Sequence, residues 1–160
     1  MPDPIVYPGQ TIKTDAINGL VQPHVQVTSS FSVPGGTTGY AAATFTTVLS
    51  SNTPSMWSTG QATRLIAPTA GVYLLHGGLI WTGALGTADG RGEIRANGSG
   101  VPAPGSRVGT QRGSTGNMQS TISGTVTLAA NGYIEIYLNT TAPGAVAVGT
   151  TLGITRISAT

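Results

Sequence analysis

From about His24 onward, apolar and polar positions alternate with a period of two, in short runs broken by Gly, Pro, Asn or Ser. That is the pattern of strands rather than helices. VQVTSSFSV, TFTTVL, ATRLIA, VYLLHGGLIWTG, GEIRANG, a weak SRVGTQ, MQSTISGTVTLA, YIEIYLNT and TLGITRIS predict eight or nine strands. In YIEIYLN, Ile134, Ile136 and Leu138 point one way and Tyr133, Glu135, Tyr137 and Asn139 the other. VYLLHGGLIW departs from this, because both of its faces are apolar. Val72, Leu74 and Ile80 share one face, while Tyr73, Leu75, Leu79 and Trp81 share the other. One face can fill a sandwich core. An isolated antiparallel sheet leaves its second face polar, so a second apolar face calls for a second cover.

The breaks between strands have chemical explanations. Asp89-Gly90 and Asn131-Gly132 reach positive φ at low cost, so TADGRG should join two strands and AANGY another two. Residues 98–117 form the longest weakly patterned piece, expected at one end of the sandwich. The predicted class is all-β, an antiparallel jelly-roll β-sandwich of 8–10 strands. Residues 1–24 read differently. MPDPIVYPGQ is proline-punctuated and extended, and TDAINGLVQ could make one short helix capped by Thr14 or Asp15 and ending near Gly19. Ile5, Val6, Tyr7, Ile12, Ile17 and Leu20 are too many apolar residues for so short a stretch to bury by itself. The division is therefore a docking arm over 1–24 and a head over 25–160.

Composition narrows the partners. Charged residues are 8% of the 160-residue chain, against about a quarter in an ordinary domain. A net charge of +2, from seven dispersed Lys and Arg over five acids, is too weak for a nucleic-acid footprint. No run approaches the roughly 20 apolar residues of a membrane span, and no secretory signal precedes the strands, which points to synthesis in a host cytoplasm. There is no cysteine, so disulfides and thiolate metal sites are excluded.

The order STGQATRLIAPTAGVYLL, RGEIRANG, TISGTVTLAANGYIEIYLNT and LGITRIS resembles the complement-type globular head of the tumour-necrosis-factor-like jelly-roll superfamily. That family shares a Thr-Gly, a short strand, Pro-x-x-Gly-x-Tyr and a late small-residue turn between apolar strands. The resemblance spans roughly residues 25–158 and is most specific over Thr59 to Leu75. Leu75 stands where the family has Phe, Asn131-Gly132 where it has Gly-Asp, and no collagen-like repeat occurs. The resemblance therefore implies the scaffold and a homotrimer, and no animal ligand site. It also implies that the second apolar face of VYLLHGGLIW is covered at a threefold axis, with Tyr73, Leu75, Leu79 and Trp81 as the expected interface. The alternative is cover from the chain's own arm or loops.

Groups able to do chemistry are few. His76 sits mid-strand, where a structural histidine is expected, and His24 lies where arm meets sandwich. The five carboxylates are Asp3, Asp15, Asp89, Glu93 and Glu135. Asp89 reads as a turn residue, and Glu93 and Glu135 as strand positions facing water or an arginine, so no acid pair for glycoside hydrolysis emerges. TADGRGE lacks the spacing of a calcium loop. Arg107 and Arg112 could hold an acidic glycan or phosphate, and Trp57 could stack on a sugar, although solubility and partial burial explain them as well. Asn97-Gly98-Ser99 and Asn139-Thr140-Thr141 match the glycosylation tripeptide, which means little without export. Neither a catalytic centre nor a cofactor or metal site is expected.

The resulting expectation is a structural virion protein of a tailed bacteriophage. It would be a trimeric head on the capsid (as decoration) or tail (as a minor tail protein), anchored to other virion proteins by its arm and exposed on the particle. A host surface glycan is a further candidate partner. The alternatives are a carbohydrate- or receptor-binding module and a cell-wall hydrolase.

Overall fold

A computed structural model of the chain describes residues 22–33, 39–82, 89–111, 118–140 and 144–159. The strands are β1 (His24–Val33), β2 (Ala41–Ala42), β3 (Thr47–Ser51), β4 (Leu65–Ile66), β5 (Gly71–Thr82), β6 (Asp89–Ala96), β7 (Pro102–Gln111), β8 (Met118–Leu128), β9 (Tyr133–Thr140) and β10 (Gly144–Ser158). A first sheet has the order β3-β1-β10-β5-β8, and a second the order β2-β9-β6-β7 with β4 also on β9. Each described pairing is antiparallel. This is the expected jelly-roll sandwich.

The core lies between the sheets. Ile134, Ile136 and Leu138 of β9 and Ile94 of β6 meet Val25 and Val27 of β1 and Leu152 and Ile154 of β10, all at most 1% exposed. Tyr73, Leu75, Leu79 and Trp81 belong to this same core, each also at most 1% exposed. The expectation that these four form the interface between copies is thus corrected. They are the bulkier face of β5, and the second sheet is shaped to receive them. A Cβ on Gly90 would lie 2.8 Å from the Trp81 ring, and one on Gly92 would overlap Leu79. The Tyr73 hydroxyl donates to the Thr69 carbonyl at 2.7 Å, so the ring reaches the sandwich end with its polar atom satisfied.

Three local expectations change. Asp89-Gly90 opens β6 instead of forming a turn, because Gly90 is needed where the backbone passes Trp81. The tight turn after β6 is Asn97-Gly98, with φ of 52° and 68°. Asn97 fastens it to β9, accepting the Tyr133 N–H through Oδ1 and donating its own N–H to the Tyr133 carbonyl, both at 2.9 Å. Asn131, at φ 64°, does turn the chain from β8 to β9, but these strands lie in different sheets, so the turn crosses the sandwich. Half of 98–117 is no end loop: residues 102–111 are β7, the edge strand beyond β6.

Candidate self-association surface

With its larger side chains turned inward, β5 presents Val72, Leu74, His76, Gly78 and Ile80 on the outer face of the first sheet. Register extends this face sideways. Leu74 pairs with Thr155 on β10 and Thr125 on β8, and Thr155 in turn with His24 on β1. One row along, Gln26, Gly153, His76 and Ser123 stand abreast, and Gly78 lies between Thr151 and Thr121. Leu74 is 41% exposed, and Ile157, in the bulge where β10 slips against the start of β5, is 50% exposed. Hydroxyls of β10 close the backbone where its pairing with β5 is interrupted. Thr151 Oγ1 accepts the Gly78 N–H and Thr150 Oγ1 the Ile80 N–H, both at 3.1 Å.

Charge divides the two sheets. The five strands of the first sheet contain a single charged residue, Arg156. Arg156 pairs with Tyr73 and follows it to the inner side, where its Nε is buried close to Gly71. The strands of the second sheet contain six charged residues. Glu93, fully buried, accepts Arg95 Nε at 2.6 Å and Arg107 Nε at 3.0 Å. Glu135, 5% exposed, accepts Arg64 Nε at 3.2 Å, the Thr63 hydroxyl at 2.8 Å and the Tyr137 hydroxyl at 3.0 Å. The Arg95 guanidinium also lies 4.3 Å from the Tyr137 ring centre and 5.1 Å from that of Tyr40, and Arg64 lies 4.2 Å from that of Tyr133. Desolvation, then the bond to Glu135, raises the Tyr137 pKa above its ordinary value. Both glutamates do face arginines, but under cover rather than in water.

The remaining sequence candidates divide as follows. Arg107 is exposed yet tied to Glu93, while Arg112 and the arm residues Ile5, Val6, Tyr7, Ile12, Ile17 and Leu20 lie outside the described residues. Trp57 packs half-buried against the core, its indole N–H directed at the Ala62 carbonyl at 3.4 Å. Beside it, Thr44, Thr59, Gln61 and Arg64 line an open polar recess of about 350 Å³. Asn139 is buried and donates to the Gly39 carbonyl. His24 and His76 are half-buried on the outer face of the first sheet, and burial, then His24, lowers the His76 pKa from its ordinary value. No three His, Asp or Glu side chains gather into a metal-binding group among the described residues.

No family model matches the sequence, and neither does any curated protein. Solved structures do match. Murine APRIL at pH 5.0 superposes with a TM-score of 0.61 at 13% identity, covering 85% of this chain and 99% of that one. Eiger TNF from S. frugiperda superposes with a TM-score of 0.58 at 10% identity, covering 88% of this chain and 94% of that one. At such identities the likeness is one of fold, and the chain is a jelly-roll β-sandwich similar to tumour-necrosis-factor-like proteins.

Proposed function

We propose that the chain is a non-enzymatic structural module that assembles as a homotrimer through the outer face of its first sheet. The observation that carries this reading is the charge division. An uncharged sheet face with exposed Leu74 and Ile157 has the composition of a covered interface core, whereas the arginine-rich second sheet has that of a solvent face. The resemblance to complement-type heads supplies the expected symmetry. Sedimentation equilibrium at neutral pH should give three times the 16.1 kDa chain mass; a concentration-independent monomer would refute the assembly.

The site of action in this reading is the surface of a tailed-phage particle. Support comes from the weakly charged, cysteine-free, Gly- and Thr-rich composition and from the apolar arm. The first sheets interlock, the arm joins the head to a neighbouring virion protein, and the second sheet faces outward. Deleting residues 1–24 should release a folded head from the particle, and its retention there would refute anchoring by the arm. A second reading, binding of a host glycan, is favoured by the recess at Arg64, whose guanidinium is held in place by Glu135 and Tyr133. Loss of glycan-array signal in Arg64→Ala would support it, and a wild-type chain without signal would remove it.

A further inference from the structure

Among the described residues, two histidines stand on a face that otherwise lacks ionisable groups. The His76 ring lies across β10 over Gly153, where any Cβ would overlap its Nε2 and Cε1, so the imidazole extends from β5 toward β1. The groups around it on that face are Leu74 and Gly78 on β5, Thr151, Gly153 and Thr155 on β10, Thr121, Ser123 and Thr125 on β8, and His24 and Gln26 on β1. None of these is a carboxylate that could balance an imidazolium. The one charged residue of the sheet, Arg156, is itself cationic and lies on the inner side.

We propose that His24 and His76 make the assembly acid-releasable: neutral imidazoles allow copies to seal this face, and protonated ones drive them apart. This rests on the reading that sister copies cover the first sheet. The physical basis is that desolvation disfavours the charged form of a base, and a covering copy removes more water from an imidazole already half-buried in the single chain. Protonation of both histidines would bring six like charges to the axis of a trimer, at positions with no anion to pair with among the described residues. Burial and the neighbouring His24 already depress proton binding at His76 before any copy docks.

The test uses the full chain in sedimentation velocity at pH 7.5 and pH 5, with circular dichroism to separate dissociation from unfolding. The wild type should be trimeric at pH 7.5 and dissociate reversibly at pH 5 while still folded, its dissociation constant rising by more than about tenfold. The variant His24→Gln/His76→Gln should remain trimeric at both. A wild-type trimer equally tight at pH 5, or a double variant that dissociates as the wild type does, would overturn the switch. A wild type already monomeric at pH 7.5 would overturn the assembly reading and the switch with it. If the double variant fails to assemble, imidazole NMR titration of the wild-type trimer decides. His76 should titrate below the free value of about 6.5, and titration at or above that value would overturn the proposal.

Discussion

Leu79 offers the sharpest test of how the two faces of β5 are used. It is fully buried, and it fills the space left by the missing side chain of Gly92, where a Cβ would overlap Leu79 and come within 3.3 Å of Ile122 Cδ1 and Leu138 Cδ2. Leu79→Ala removes buried methyl groups and leaves a cavity, at an expected cost of about 3 kcal/mol. Gly92→Ala in the wild-type background overfills the same place, at about 1–3 kcal/mol. Combined, the added methyl enters the vacated volume, so the double variant should be more stable than the sum of the singles predicts by about 1–2 kcal/mol. Leu74→Ala, two pairs from His76 in neither the core nor a hydrogen bond but on the exposed face, should alter the unfolding free energy of the chain by less than about 1 kcal/mol. Guanidinium unfolding followed by tryptophan fluorescence, at a concentration low enough to keep the chain monomeric because assembly through Leu74 would itself stabilise the fold, measures all four. Strict additivity, or a Leu79→Ala chain within about 1 kcal/mol of the wild type, would refute the placement of this face in the core.

Glu93→Gln should destabilise the fold by about 2 kcal/mol, less than a fully buried pair would lose because Arg107 is 63% exposed; denaturant midpoints equal to wild type would contradict this. Asn97→Ala should cost about 1–2 kcal/mol through the left-handed backbone and the lost bond to the Tyr133 N–H, while Asn97→Gly should lose only the bond. Equal losses in the two variants, read from thermal unfolding, would reject the turn assignment. At high pH the half-buried Tyr137 phenol holds its proton more tightly folded than unfolded, through desolvation and its bond to Glu135. Its contribution is therefore intact below about pH 10 and is lost as pH rises through the folded pKa. Tyr137→Phe should flatten that loss in unfolding experiments between pH 9 and 11, and an unchanged alkaline slope would contradict the assignment.

Strand alternation, with its period of two, made the core face of β9 readable residue by residue, Ile134, Ile136 and Leu138 turning inward, whereas on its other face Glu135 and Asn139 are covered as well. In β5 the same period separated two faces without saying which turned inward. That choice depends on volume, since Trp81 and Leu79 need the depth that Gly90 and Gly92 leave in the opposite sheet, a match made only when the two sheets pack. Asp89-Gly90 looked like a turn because the dipeptide is equally suited to one; only the proximity of Trp81 explains the glycine. The tight turn at Asn97-Gly98 is as good a positive-φ dipeptide as Asp89-Gly90 or Asn131-Gly132, but in the sequence it stands out only as a match to the glycosylation tripeptide that carries little weight. The alternation of Arg95 on β6, Glu135 on β9 and Arg64 just before β4 was hidden because these residues are distant in sequence and become neighbours only through pairing. The charge division between sheets follows from the same assembly of strands and was the feature least visible in the chain as written.

The absence of cysteine allows the covered face to be tested directly by thiol labelling. Thr125→Cys places a thiol beside Leu74 on the outer face of the first sheet, and Val101→Cys places one at a 72% exposed position away from it. Both positions are exposed in the single chain. At concentrations that support assembly, Thr125→Cys should label much more slowly than Val101→Cys and catch up on dilution. Equal rates at every concentration would mean that no second copy covers the sheet.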